Sequence, residues 1–127
     1  MANLLYVDDE ALIGKAVARW FARRDHTVHL AISVSSAQRE IGQYRLDLDV
    51  VFIDVWLGEE SGFELMSWIE DAHPSLAGRV VFVTGELADA TRSDRTWRTL
   101  GRPVLQKPFN FTDLERYVVE LDRRKAE

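Results

Sequence analysis

The sequence predicts an α/β domain in which helices cover both faces of a parallel β-sheet, and two observations lead to this fold class. Short runs rich in Val, Ile, Leu and Phe recur along the chain, which is typical of strands buried on both faces. The segments between these runs carry apolar residues at i, i+4 spacing, the period of an amphipathic helix. This alternation indicates five βα units in one domain.

Each predicted element is assigned from its apolar residues. The predicted strands are LLYV (4–7), TVHLA (27–31), VVFI (50–53), VVFV (80–83) and PVL (103–105). The first helix has two apolar rows, which are Leu12, Ala16 and Trp20, and Ile13, Val17 and Phe21. A later helix follows Gly62 and carries Phe63, Met66, Trp68 and Ile69. The last helix carries Phe111, Leu114, Val118 and Leu121.

The stretch 87–100 is the weakest predicted helix. It is rich in Thr, Ser and Asp, which are poor helix formers, and it has few apolar anchors. Gly101 is a plausible helix stop, with Pro103 two residues later. We expect either an ordinary marginal surface helix or a mobile element, because segments with few buried contacts open first.

Length and composition fit one folded domain and exclude several kinds of site. The chain has 127 residues, of which 46% are hydrophobic and 29% charged, and we expect the domain to span residues 1–123 with a polar tail at 124–127. The absence of cysteine excludes disulfides and Cys-ligated zinc, and a net charge of −5 argues against direct binding to nucleic acid. With no apolar run near the ~20 residues of a membrane span and no signal-peptide pattern, we expect a soluble, cytoplasmic protein without membrane contact.

Polar side chains follow four of the five predicted strands. Asp8 and Asp9 follow the first strand, Asp54 the third, Thr84 the fourth, and Lys107 comes shortly after the fifth. Because ligands bind outside the carboxyl ends of the strands in a parallel α/β sheet, these residues are predicted to form one site.

The residue types at this site indicate phosphoryl chemistry. Three crowded carboxylates repel one another unless a cation intervenes, and hard oxygen ligands without His or Cys favour Mg²⁺. A carboxylate can also act as a nucleophile toward phosphorus and form an aspartyl phosphate. The transferred group then needs positive charge and hydrogen-bond donors, which Lys107 and Thr84 could provide.

Four motifs, in this order and spacing, resemble the response-regulator receiver domain of bacterial two-component signalling. They are YVDDE (6–10), VVFIDVWLGEESGFEL (50–65), VVFVTGE (80–86) and PVLQKPF (103–109). The resemblance covers essentially the whole chain. It implies a flavodoxin-like, doubly wound sheet of five parallel strands in the order 2-1-3-4-5, with five helices.

The resemblance also implies a set of metal ligands. Asp9 and Asp54 would bind Mg²⁺ directly, and Asp8 would hold it through a water molecule. The backbone carbonyl of Trp56 would complete the protein ligands.

The resemblance further implies catalytic roles at the phosphorylation site. Asp54 would be the phosphoacceptor, charged by a histidine kinase, a phosphotransfer protein or a small phosphodonor. Thr84 would hydrogen-bond a phosphoryl oxygen, and Lys107 would pair with the phosphoryl group. The Lys107–Pro108 peptide is expected to be cis.

Two positions depart from the usual receiver pattern. Val104 stands where many receivers carry Tyr or Phe, so an inward swing of that aromatic ring cannot operate here in its usual form. Trp56 is large for its position, two residues after Asp54, and it either restricts the approach of hydrolytic water or packs over its loop.

The leading hypothesis is a switch in which phosphorylation of Asp54 changes a protein-interaction surface. That surface would comprise the 87–100 helix, the fifth strand and the last helix, and it would contact a downstream protein or a second copy of the chain. The ending GRPVLQKPF also resembles receivers of hybrid kinases, which leaves a phosphorelay fragment as an alternative. A docking or dimerisation module that works without phosphorylation is another.

An enzyme of the phosphatase or phosphotransferase class is a further alternative. Such enzymes usually place a second acid two residues after the nucleophile, where this chain has Trp56. The chain is therefore expected to catalyse only its own aspartyl phosphorylation and dephosphorylation.

Overall fold

The computed structural model describes residues 1–44, 47–85 and 101–122. The helices and strands in these ranges are β1 (Asn3–Val7), α1 (Ala11–Ala22), β2 (Thr27–Ala31), α2 (Val34–Tyr44), β3 (Val50–Asp54), β4 (Trp56–Leu57), β5 (Glu60–Ser61), α3 (Gly62–Ala72), α4 (Pro74–Ala77), β6 (Val80–Thr84), β7 (Val104–Gln106) and α5 (Phe111–Leu121). Each of the five predicted strands is present, with bounds that differ from the prediction by no more than one residue.

Five strands form one parallel sheet in the order β2-β1-β3-β6-β7. Counted along the chain as the five predicted strands, this order is 2-1-3-4-5, and the predicted fold is confirmed. In the register, Val7 lies between Ala31 of β2 and Ile53 of β3, and Asp54 pairs with Val83 of β6. The carboxyl ends of the neighbouring strands β1 and β3 therefore lie side by side.

Helices cover the sheet on both faces, and each face has its own hydrophobic core. Alternate residues of the central strands point to opposite faces. One face packs against α2 and α3, and the residues that β1, β3 and β6 contribute to it are Leu5, Val7, Val51, Ile53, Val80 and Phe82. The other packs against α1 and α5, and its strand residues are Leu4, Tyr6, Val50, Phe52, Val81 and Val83. Burial on both faces explains why these runs lack polar alternation.

Several features differ from the sequence prediction or fall outside the described ranges. A small antiparallel pair, β4 with β5, follows β3 in a stretch predicted to be a loop, and the short helix α4 was not predicted. The predicted 87–100 helix and the 124–127 tail lie outside the described residues. None of the described helices could cross a bilayer, since the longest has 12 residues.

The first helix buries only part of its apolar stripe. Val17 and Phe21 are fully buried against the sheet, whereas Leu12 is 82% exposed. Leu12 lies in the first turn of α1, beside a groove lined by Pro108 and Phe109. The apolar stripe of α1 is therefore wider than the face that the sheet covers.

Candidate functional site

The structure brings the three predicted carboxylates together at the carboxyl edge of the sheet. Asp8 and Asp9 directly follow β1, and Asp54 is the last residue of the neighbouring strand β3. One carboxylate oxygen from each residue lies within 4.8 Å of the others. Asp8 and Asp54 are buried, at 2% and 4% exposure, whereas Asp9 is exposed to solvent.

Lys107 lies between the two buried carboxylates. Its Nζ is 2.7 Å from Oδ2 of Asp8 and 2.8 Å from Oδ2 of Asp54. A third acid, Glu10, approaches the same ammonium at 3.8 Å. The backbone N–H of Lys107 donates to the carbonyl of Thr84 at the end of β6, which ties the lysine to the sheet edge. The Lys107–Pro108 peptide is cis, as predicted.

Both oxygens of Asp8 accept hydrogen bonds. Oδ1 accepts the backbone N–H of Glu10 at 2.9 Å. Oδ2 accepts the hydroxyl of Tyr6 at 3.0 Å in addition to Nζ of Lys107. Burial, and next the charge of Asp8, raise the pKa of Tyr6, so its hydroxyl remains protonated and acts as the donor.

Both oxygens of Asp54 also have donors. Oδ1 accepts the backbone N–H of Trp56 at 3.1 Å, and Oδ2 accepts Lys107. Helix α3 starts immediately beside this residue. The two are so close that a Cβ atom on Gly62 would overlap the Asp54 carbonyl and approach the Ile53 side chain to 2.8 Å. Only glycine permits this close packing of the helix start against the end of β3.

The electrostatics of the site combine burial with the ion pairs that Lys107 makes to Asp8 and Asp54. Burial raises the pKa of Asp54 to about 6, although the hydrogen bond and charge of Lys107 and the N–H of Trp56 act in the opposite direction. Burial also works against the charged form of Lys107, but its hydrogen bonds to Asp54 and Asp8 outweigh that effect and raise the pKa of Lys107. At neutral pH the site therefore holds a charged ammonium between carboxylates.

An open cleft of about 240 Å³ lies above the acids. Its lining residues are Asp9, Glu10, Asp54, Trp56, Gly58, Gly85 and Lys107. The Trp56 side chain is 39% exposed at this cleft. Because each water molecule occupies about 30 Å³ in the liquid, the cleft can hold a phosphoryl group together with several waters.

Thr84 is not among the residues that line this cleft. It is fully buried at the end of β6, where it pairs with Gln106 of β7, and the next residue, Gly85, forms part of the lining. Val104 is half-buried and packs against the core on the α2–α3 side of the sheet.

The donor atoms of the acidic group fit a magnesium ion. All of the donors that Asp8, Asp9 and Asp54 offer are carboxylate oxygens, and neither His nor Cys belongs to the group. Mg²⁺ prefers such oxygen ligands and keeps several of its waters, for which the adjoining cleft has space. The arrangement can therefore hold a divalent cation beside a buried carboxylate and an ammonium.

Sequence reasoning did not assign a role to the Tyr6 side chain. Tyr6 was assigned only as part of the first strand, yet its hydroxyl contacts Asp8 within the site. The two-residue period of a strand could have indicated this contact. Tyr6 and Asp8 are two residues apart, so their side chains point to the same side of an extended chain.

Glu10 occupies the N-cap position of α1, but its side chain makes no capping hydrogen bond. Its carboxylate approaches Lys107 instead. The Glu10 side chain therefore faces the site and does not cap the helix.

Comparison with known proteins identifies relatives over most of the chain. The family model described as "Response regulator receiver domain" matches residues 4–119. The transcriptional regulatory protein MalR of Bacillus subtilis is 28% identical over 129 aligned residues, which cover 98% of this chain and 52% of MalR. The sensory transduction protein LytR of Streptococcus mutans is 34% identical over 87 residues, or 65% of this chain and 34% of LytR. The chain thus spans about half or less of the length of these relatives.

A solved structure shares the whole fold. The crystal structure of a response regulator receiver domain protein from Clostridium thermocellum superposes with a TM-score of 0.80 at 25% identity. The match covers 99% of this chain and 98% of that one. Together with the family match over residues 4–119, it establishes that the chain belongs to the response regulator receiver domain family.

Proposed function

We propose that this protein is a phosphoacceptor receiver domain, in which Mg²⁺-dependent phosphorylation of Asp54 switches a protein-interaction surface. The observation that carries the proposal is the position of Asp54. Its carboxylate is buried at the floor of an open cleft, within 2.8 Å of the Lys107 ammonium and beside two further carboxylates.

In the proposed reaction, an oxygen of the ionised Asp54 attacks the phosphorus of a phosphohistidine on a kinase or phosphotransfer protein, or of a small phosphodonor such as acetyl phosphate. The new O–P bond makes an aspartyl phosphate. The P–N bond of phosphohistidine, or the P–O bond to acetate, breaks, and its electron pair stays with the leaving group. Water reverses the modification by hydrolysing the acyl phosphate.

The acidic group would hold the cation that this reaction needs. Asp9 and Asp54 are proposed as direct ligands, Asp8 as a ligand through water, and the carbonyl of Trp56 as the remaining protein ligand. A bound Mg²⁺ would supply positive charge to the phosphoryl oxygens. The support for this assignment is the all-oxygen donor set of three carboxylates at the cleft.

Lys107 and Thr84 are proposed to bind the transferred group. Lys107 would exchange its contacts with the carboxylates for a phosphoryl oxygen, a short movement because its Nζ already lies 2.8 Å from Asp54. Thr84 is fully buried at the end of β6, so its contact requires this end of the strand to rearrange. That rearrangement would carry the signal from the site into the sheet.

The proposed output is a contact with a downstream protein or with a second copy of the chain. The interaction surface would include β7 and α5, together with the 87–100 stretch, which lies outside the described residues. The names of MalR and LytR, a transcriptional regulatory and a sensory transduction protein, support a regulator rather than a phosphorelay fragment. Residues 1–123 would be the receiver domain, followed by the polar tail.

Intact mass spectrometry after incubation with Mg²⁺ and acetyl phosphate tests the proposal. We expect a gain of one phosphoryl group in the unmutated protein and in Asp71→Asn, which removes an equal charge at the exposed end of α3. No gain is expected in Asp54→Asn. A gain that persists in Asp54→Asn, or no gain with either acetyl phosphate or a set of phosphorylated histidine proteins, would refute it.

A further inference from the structure

Tyr6 carries a buried hydroxyl that the proposed phosphoryl transfer does not use. We propose that Tyr6 is a positioning residue, whose hydroxyl holds the Asp8 carboxylate in place for the cation and keeps it anchored when Lys107 moves to the phosphoryl group. This inference rests on the proposed function and deepens it, since it concerns the same site.

The first support is the set of donors around Asp8. Its Oδ2 accepts both the hydroxyl of Tyr6 at 3.0 Å and Nζ of Lys107 at 2.7 Å, while the N–H of Glu10 occupies Oδ1. Asp8 is only 2% exposed, so bulk water has little access to it, and a water held by the cation is the one further donor that the proposed site supplies. The Tyr6 hydroxyl is thus the donor on Oδ2 that remains when Lys107 departs.

The second support is that the Tyr6 ring is fixed in the core. The side chain is 1% exposed and its ring packs against Phe52 of β3, with ring centroids 6.3 Å apart, and against Phe109, at 6.4 Å. Phe109 follows Lys107 by two residues. Because Tyr6 belongs to β1 and its buried ring packs against β3, the hydroxyl stays in place when the Lys107 side chain moves.

The physical consequence concerns the mobility of Lys107. A buried carboxylate oxygen that loses its donors is strongly destabilised. With the Tyr6 hydroxyl present, Lys107 can leave Oδ2 of Asp8 without exposing that oxygen to this penalty. Without the hydroxyl, Asp8 would hold Lys107 more tightly and its own carboxylate would be less well oriented for the cation.

The test is the conservative substitution Tyr6→Phe, which removes the hydroxyl and keeps the ring. Partners that orient a metal-binding carboxylate typically contribute a factor of about 10 or more to metal affinity. We therefore expect Mg²⁺ binding, measured by calorimetry, to weaken about tenfold. The rate of phosphorylation at saturating Mg²⁺ should also fall, because Lys107 is released less readily. Tyr117→Phe is the matched control, since Tyr117 packs against the same core from α5 and is not among the residues that line the cleft.

Repeating the substitution in an Asp8→Asn variant distinguishes positioning of the Asp8 carboxylate from a general effect of Tyr6→Phe on the fold. In Asp8→Asn, the substitution Tyr6→Phe should cause no further loss of Mg²⁺ affinity, because the hydroxyl acts through the Asp8 carboxylate. Equal Mg²⁺ affinity and phosphorylation rate in Tyr6→Phe and the unmutated protein would overturn the inference, as would a loss that is the same size in the Asp8→Asn background. An unmutated protein that binds Mg²⁺ but takes no phosphate would instead refute the proposed function, and the Mg²⁺ titrations would still decide the role of Tyr6.

Discussion

Saturating Mg²⁺ is expected to raise the melting temperature of the metal-free protein by roughly 10 °C, given typical stability increments for a domain of this size. The cause is the crowding of the carboxylates, whose oxygens lie within 4.8 Å of one another. Two unit charges at that separation repel by about 3.5 kcal/mol at an effective dielectric constant of about 20. Asp8 and Asp54 are both buried, so water screens their repulsion poorly, and Lys107 offsets it in part.

The size of the effect follows from binding linkage. A ligand at about 100 times its dissociation constant stabilises the native state by about 2.7 kcal/mol if it does not bind the unfolded chain. For a domain of this length, each 1 kcal/mol shifts the melting temperature by roughly 3–5 °C. The shift should grow with the logarithm of the Mg²⁺ concentration once the site is saturated.

The assay is thermal unfolding monitored by circular dichroism across a Mg²⁺ titration, with ionic strength kept constant by a monovalent salt so that general screening does not contribute. Asp54→Asn should lose most of the shift, whereas Asp71→Asn, with the same change in charge, should keep it. No change in the melting temperature of the unmutated protein at concentrations that saturate binding would refute the reasoning that these acids form a cation site.

Three further predictions follow from the geometry of the site. Because the pKa of metal-free Asp54 is raised to about 6, its cation-binding form is lost as the pH falls through that value, and Mg²⁺ affinity should drop steeply between pH 7 and pH 5; a flat profile in calorimetric titrations would contradict this. Trp56→Ala should speed the loss of phosphate after the phosphodonor is removed, since the indole borders the cleft that water must enter; unchanged or slower decay by intact mass would count against it. Gly62→Ala should destabilise the fold and weaken Mg²⁺ binding, because its Cβ would press on the Asp54 carbonyl. Gly42→Ala, in open space within α2, should instead stabilise the fold by about 0.5–1 kcal/mol, and equal denaturation midpoints for these two variants would refute the steric argument.

The strands, and the edge at which the site forms, could be predicted from the sequence. Continuous apolar runs such as VVFI and VVFV are typical of strands that are buried on both faces of a parallel sheet. The residues that follow such strands meet at the carboxyl edge of the sheet. These arguments predict that Asp8, Asp9 and Asp54 lie together, and in the structure one oxygen from each lies within 4.8 Å of the others. The strand order came from the resemblance to receiver domains, because local patterns do not specify which strands pair.

The burial and the hydrogen bonds of the site required the folded structure. Lys107 contacts Asp8 and Asp54 across 99 and 53 residues of sequence, and no local pattern specifies which donors share an oxygen. The same holds for the exposure of Asp9 beside the buried Asp8, and for the Tyr6 hydroxyl that reaches Asp8. Residue type and spacing determine which groups reach the edge of the sheet. The packing of α1, β3 and the Lys107 segment against one another determines which of those groups lose water, and therefore which carboxylate has a raised pKa.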